Sequence, residues 1–277
     1  MTTIRDVVGD LEAEQAELDS IVAPIMTPEW DKPTPADGWS VRDQIGHLAY
    51  FDEVAAEAVL DRDGFGRRLE LFRRAFLEGR DPMAAHLGRG RSLAAGEVLA
   101  WWRDARHKEI AAFTTLSGAE RVPWFGPPMG AVSFVTARLM ETWAHGQDVA
   151  DALGIARVPT SRLRHVAHLG ARTLRNSFTV RGEEVPADEV RVELVAPSGE
   201  VWTWGPEGAE EHVSGDALDF CLVVTQRRHV ADTTLDVRGD AARAWMEIAQ
   251  AFAGPPGPGR APSGSGSAPS GASPASQ

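Results

Sequence analysis

The feature that most limits what this chain can fold into is a change of hydrophobic period near residue 180. Before that point apolar residues recur at helical spacing, and beyond it they alternate. Ile4, Val7, Leu11, Leu18, Ile21, Val22 and Ile25 form one apolar stripe, closed by Pro24 and Pro28, so the first helix is expected within residues 3–26. Residues 27–38 carry three prolines and read as a loop. Ser40 followed by Asp43 resembles a capping box with Asp in place of Glu, which starts a helix at Val41 that runs to about Arg62. Residues 63–90, rich in Gly and Arg, are expected to hold a broken or short helix before Asp81-Pro82. Further helices are expected over 92–116 and 131–153, and from Pro159-Thr160 to about Phe178. Between them, Arg121–Gly130 is both apolar and helix-breaking. An apolar loop of this kind lies on the protein or beside a ligand, because exposure would cost burial energy.

After residue 180, Val190, Val192, Leu194 and Ala196 alternate with charged residues. The turn Pro197-Ser198-Gly199 then leads into Val201–Trp204, which makes a hairpin. His212–Ser214 reads as a weak third strand, Asp216–Gln226 as a helix, Thr234–Arg238 as a strand and Asp240–Ala253 as a final helix. Strands and helices without regular βαβ alternation indicate a small α+β domain. The expected fold class is therefore α plus α+β, with a helical bundle over 1–180 and the α+β domain over 181–253. The Gly, Pro, Ser and Ala tail of 254–277 is expected to be disordered.

Composition excludes several partners. No apolar run in the 277 residues approaches the ~20 residues of a membrane span, and no signal peptide is visible. A net charge of -12 argues against a nucleic-acid backbone as ligand. The single cysteine cannot close an internal disulfide and fits a reducing cytoplasm. These observations point to a cytoplasmic protein with a small-molecule ligand, and they leave the oligomeric state open.

Chemistry concentrates in Met140–Asp151. Glu141 and His145 are four residues apart in a helix and project from one face. A carboxylate and an imidazole one turn apart are two ligands for a divalent metal, and an open catalytic site needs three. His47, in the helix that starts at Val41, is the obvious third. Each residue also has a plainer reading. Arg138, Glu141, His145 and Asp148 form a polar strip beside the core face of Val135, Leu139, Thr142, Val149 and Leu153, and such a strip ordinarily marks a solvated face. His47 has Phe51, Val54 and Ala58 as helical neighbours, and a lone histidine there is ordinarily a hydrogen-bonded core residue. His165 and His168 share a helix, whereas His86, His107, His212 and His229 are isolated; all six read as surface or packing residues.

Two segments decide between these readings. Trp39–Ala49, containing Trp-Ser-Val-Arg-Asp-Gln-Ile-Gly-His-Leu-Ala, and Glu141–Ala150, containing Glu-Thr-Trp-Ala-His-Gly-Gln-Asp-Val-Ala, resemble the DinB/YfiT-like metalloenzyme superfamily. Within it they resemble the mycothiol-dependent maleylpyruvate isomerase branch. Ser214–Cys221 and Arg238–Ala242 are similar to the sterol-carrier-like domain that often follows the bundle. The resemblance implies a DinB-like four-helix bundle followed by that α+β domain. It also implies a metal held by His47, Glu141 and His145, and mycothiol as cosubstrate. Zinc is the first choice of metal, although nickel, iron and manganese suit the same donors.

The implied activity is thiol-dependent isomerisation or S-transfer on a small electrophile. In isomerisation a thiolate adds to a conjugated cis double bond, the new single bond rotates, and the thiol is expelled as the trans product forms. In transfer the adduct is kept. Two other readings use the same residues: thiol-independent hydrolysis or rearrangement, and non-catalytic binding of metal and an apolar ligand. Cys221 lies in an apolar stretch without a flanking base and reads as inert, so any thiol must be brought in. Asp148 is placed to accept the free ring N–H of His145, and Asp52 to support the helix of His47. The arginines between 67 and 91 are candidates to bind carboxylates. Of the nine tryptophans, Trp124 and Trp143 are the two placed to line a pocket.

Overall fold

The computed structural model describes residues 2–79 and 84–263. Asp81-Pro82 and the last part of the tail, 264–277, lie outside the described residues. The chain divides into two compact units, Met1–Leu169 and Gly170–Gln277.

The first unit is helical: α1 (Ile4–Val22), α2 (Val41–Leu60), α3 (Arg62–Leu77), α4 (Ala84–Ser92), α5 (Ala95–Phe113) and α6 (Ala131–Leu153), followed by the start of α7 (Leu163–Arg172). Helix starts follow local hydrogen-bond chemistry. The Thr3 side chain caps α1 and Asp6 returns the bond; Ser40 and Asp43 form the same reciprocal pair at α2, as the sequence indicated. Helix α6 stops where Gly154 adopts a φ of 68°, and the N–H of Ile155 then closes on the Ala150 carbonyl.

Helices α1, α2, α5 and α6 pack as the bundle, with α3 and α4 inserted between α2 and α5 and lying against α2. Leu18, Val22, Ile45, Leu48, Val98, Trp102 and Val149 share one core between the four helices. The 63–90 region differs from expectation: α3 is a full helix of 16 residues, capped by the Asp61 side chain. Its many arginines do not break it, because Arg is a good helix former. In turn, the helix expected over 92–116 is Ala95–Phe113, and Ser92 belongs to the end of α4. The apolar loop contains a two-residue ladder, β1 (Arg121–Val122) with β2 (Met129–Gly130), which presents Trp124 and Phe125 at its tip. Arg157 and Arg162, beyond α6, pair with Glu14 and Glu17 of α1 and tie that connection to the first helix.

The second unit is a mixed sheet with helices. After α8 (Leu174–Thr179) come β3 (Val190–Val195), β4 (Val201–Trp204), β5 (Glu211–Asp216), α9 (Ala217–Val224), β6 (Asp236–Arg238) and α10 (Asp240–Ile248). Strand order is β4-β3-β5-β6. The hairpin sets Leu194 opposite Trp202, while β5 runs parallel to β3 with Val213 beside Val192. The strand that reads as weak in the sequence is thus central to the sheet. Helix α9 packs on β3 and β5, and α10 on β5 and β6. The helix expected to end near Phe178 is two pieces, α7 and α8, and α10 stops at Ile248. Residues 254–263 have no regular structure, yet the Gly257 carbonyl accepts a bond from Arg181 and the Ser263 N–H donates to Asp232.

Gly170 marks the tightest helix contact in this unit. A Cβ there would lie 2.7 Å from Cγ2 of Val224 and 3.0 Å from the Phe220 ring. Valine is stiff at χ1 and yields little. Gly170→Ala would gain about 1 kcal/mol of helix propensity but meet an overpacking cost of about 1–3 kcal/mol. A lowered midpoint in thermal or urea unfolding is expected; a raised midpoint would show that the contact relaxes freely.

Candidate metal centre

The structure brings His47 of α2 together with Glu141 and His145 of α6. One ligand atom from each lies within 4.8 Å of the others, and the three side chains are half-buried. Among the described residues this is the cluster of His, Cys, Asp and Glu with that geometry. Three other histidines pair elsewhere: His165 with Asp10, His212 with Glu193 and His229 with Glu247.

The imidazole rings of His47 and His145 are 4.4 Å apart between centroids. Trp39 covers both, stacked on His145 at 5.8 Å and tilted against His47 at 5.1 Å. Phe51, one turn beyond His47, touches the other side of that ring at 4.6 Å. Phe51 in turn meets Trp124 and Phe125 of the apolar loop, which pack on Phe65 and Phe72 of α3. The loop therefore does lie on the protein, beside the cluster. Trp124 belongs to this aromatic group, whereas Trp143 is a buried packing residue whose carbonyl accepts a bond from Arg157.

Both ring nitrogens of His145 are engaged. Nε2 lies 3.1 Å from Glu141 Oε2, and Nδ1 lies 2.5 Å from the amide oxygen of Gln44. Gln44, not Asp148, thus faces Nδ1. The amide oxygen can only accept, so in the neutral ring the hydrogen is on Nδ1 and the Nε2 lone pair points at a carboxylate. Two acceptors meeting head-on repel, and either a proton on Nε2 or a metal ion between them removes the conflict. The donor set thus fits a divalent ion: imidazole and carboxylate donors in one cluster, with Glu141 partly open to solvent.

Beneath the cluster the polar strip is not a solvated face. Arg138 and Asp148 are buried. The Arg138 guanidinium donates to Asp52 at 2.7 Å and to Glu109 at 3.1 Å, joining α6, α2 and α5. The Trp102 indole N–H adds a bond to Asp52, and the Gln15 amide one to Glu109. Burial pushes the Asp52 carboxyl up, against the pull of Arg138. Burial and the Asp52 charge push Glu109 well above the ordinary carboxylate range. Burial works against the Arg138 charge as well, but the carboxylates of Asp52, Glu109 and Glu141 outweigh it and hold the guanidinium protonated. Asp52, expected to support the helix of His47, does so through this network.

Four of the arginines of 67–91 are paired within the chain. Arg68 bonds Glu57 and Tyr50, Arg74 bonds Glu78, and Arg91 bonds Asp43. Arg89 bonds Glu53 and lies over the Trp101 ring. Sequence reasoning missed Trp39 and Gln44. Gln44 carried a signal, since it is a polar residue one turn before His47 on an otherwise apolar face.

Comparison with known proteins fits this geometry. The model of the family described as mycothiol maleylpyruvate isomerase N-terminal domain matches residues 11–150. The chain belongs to that family. A second family model, described as wyosine base formation, matches residues 186–237. Two uncharacterized proteins of Mycobacterium tuberculosis, from strains CDC 1551 and H37Rv, are 46% identical over 256 residues, which is 91% of this chain and 97% of theirs. Two crystal structures of the mycothiol-dependent maleylpyruvate isomerase, one of a mutant, superpose with TM-scores of 0.55 and 0.53. They share 16% and 18% identity with this chain and cover 82% of it and 92% of their own length. At that identity they show a common fold, helical first and mixed-sheet after. No described helix is long and apolar enough to cross a membrane.

The buried network yields a pH-dependent expectation. Because the folded state holds a proton on Glu109 above its ordinary 4.5, folding stability falls as pH rises through and beyond that value. Glu109→Gln removes this loss, and its Gln15 partner can turn its amide to suit. The difference in unfolding free energy between variant and parent should therefore shift in favour of the variant as pH is raised from 4 towards 8. A constant difference would contradict the assignment. Arg138→Met, by contrast, leaves the buried Asp52 and Glu109 side chains without their cation and should cost about 3–5 kcal/mol in urea unfolding.

Proposed function

We propose that His47, Glu141 and His145 hold a divalent metal, zinc in the first instance, and that the chain uses it with mycothiol for isomerisation of, or S-transfer to, a small electrophile. The observation that carries the reading is the convergence of the three donor side chains from two helices, with all ligand atoms within 4.8 Å. Family membership supports mycothiol as the thiol. When bound, such an ion lowers the pKa of a coordinated thiol and polarises a substrate oxygen.

The chain's own residues then set the environment. Trp39 and Phe51 cover the imidazole faces and keep water from them. Arg138, one turn before Glu141, offsets part of the negative charge of that carboxylate. The nucleophilic sulfur has to come from the cosubstrate, because Cys221 is fully buried in the second unit. Chemistry with a low-molecular-weight thiol is consistent with a reducing cytoplasm as its setting. Nickel, iron and manganese are compatible with the same three donors.

The test is metal content by elemental mass spectrometry on the wild-type protein and His47→Ala, followed by turnover of candidate electrophiles with and without mycothiol. About one ion per chain, lost in the variant, is expected, with turnover only when thiol is present. Turnover without thiol would move the chemistry to metal-activated water. Wild-type protein that stays metal-free after incubation with all four ions would overturn the catalytic reading.

A further inference from the structure

We propose that Gln44, itself oriented by Thr34, fixes the tautomer of His145 with the hydrogen on Nδ1 and leaves Nε2 as the ligating nitrogen. Gln44 is a positioning residue in this account: it acts through His145 and touches no reacting atom.

The argument starts in the loop before α2. Thr34 Oγ1 lies 2.9 Å from the Trp39 carbonyl and 3.5 Å from the Ala36 carbonyl. Carbonyls only accept, and a hydroxyl has a single hydrogen, which is spent there. The third neighbour of Thr34 Oγ1 is the Gln44 side-chain amide at 2.9 Å, which must therefore present its N–H₂. That settles which way the amide faces from the network alone. Its oxygen is turned to His145 Nδ1 at 2.5 Å. Gln44 is fully buried, so no solvent competes for that oxygen.

An amide oxygen cannot donate, so in the neutral imidazole the hydrogen sits on Nδ1 and Nε2 keeps its lone pair. Nε2 is the nitrogen beside Glu141. Turning the ring over would set a carbon against the Gln44 oxygen and forfeit the bond. Trp39, lying nearly parallel over the ring with 13° between planes, resists tilting out of that plane. One loop thus supplies both the acceptor chain and the ring cover for His145. A hydrogen-bonded outer partner of this kind also raises the basicity of a ligating imidazole.

Only the affinity arm of the test rests on the proposed metal; the tautomer arm reads without it. Long-range ¹H–¹⁵N correlation on histidine-labelled full-length protein, above the imidazole titration range, reports the tautomer. The His145 signal is assigned by its loss in His145→Asn. Affinity for zinc ion alone is read by competition with a chromogenic chelator. Wild type should show the Nδ1–H pattern. Gln44→Leu and Thr34→Val should lose it or become mixed, and zinc affinity should fall about 10–100-fold. Gln44→Glu and Thr34→Ser, which keep an acceptor on His145 and a hydroxyl at 34, should retain both. A packing role would instead make the buried charge of Gln44→Glu the worst variant. Should Gln44→Leu fail to fold, Thr34→Val carries the comparison with Gln44 in place. An Nε2–H pattern in wild type, or unchanged pattern and affinity in Gln44→Leu and Thr34→Val, would overturn the proposal. A Gln44-dependent Nδ1–H pattern in a protein that binds no zinc would uphold the tautomer lock and sink the metal reading.

Discussion

A guanidinium buried between two carboxylates governs the geometry of this protein. Arg138 draws bonds from α6 to Asp52 on α2 and Glu109 on α5. Desolvating these charges is expensive and their mutual attraction repays it only when the geometry is good. That requirement is what makes the contact directional. Apolar faces alone would tolerate a slide of one helix along another, whereas ion pairs at 2.7 and 3.1 Å do not. Asp52 and His47 lie on the same helix, as do Arg138 and Glu141, so the register that satisfies the arginine also sets the separation of the donor side chains.

Charge and ring contacts then divide the work around the cluster. Below it, the network is buried, and Gln15 and Trp102 add hydrogen bonds to its carboxyl groups. Beside it, aromatic rings from the Trp39 loop, α2 and the β1–β2 tip close around the imidazoles. Such rings add apolar cover without offering hydrogen bonds of their own to the donor atoms, while Glu141 stays partly open to solvent.

Much of this was legible before any coordinates. Ser40 and Asp43 fixed the start of α2, and the spacing of Glu141 and His145 put them on one face. What could not be read was the far side of each pair. Arg138 looked solvated because its partners come from α2 and α5, dozens of residues away. Gln44 gave a polar letter on an apolar face but no hint that His145 was its partner. In the second unit, β5 looked weak because Glu211–Asp216 contributes Val213 as its one fully buried apolar side chain. Its central place comes from parallel pairing with β3, a long-range relation that local alternation does not encode. The length of α3 was hidden by glycines that the helix carries at its exposed or capped positions.

The burial of Cys221 has a bearing on durability. It is the chain's single sulfhydryl, and it sits at the centre of α9 with no surface exposure. A protein that handles thiol-seeking compounds risks arylating or alkylating itself, since a surface thiolate would compete with the intended sulfur. Here the folded chain offers such compounds no sulfhydryl of its own. Under the proposed chemistry such compounds would find Cys221 shielded while the second unit stays folded, and its modification would report unfolding of that unit.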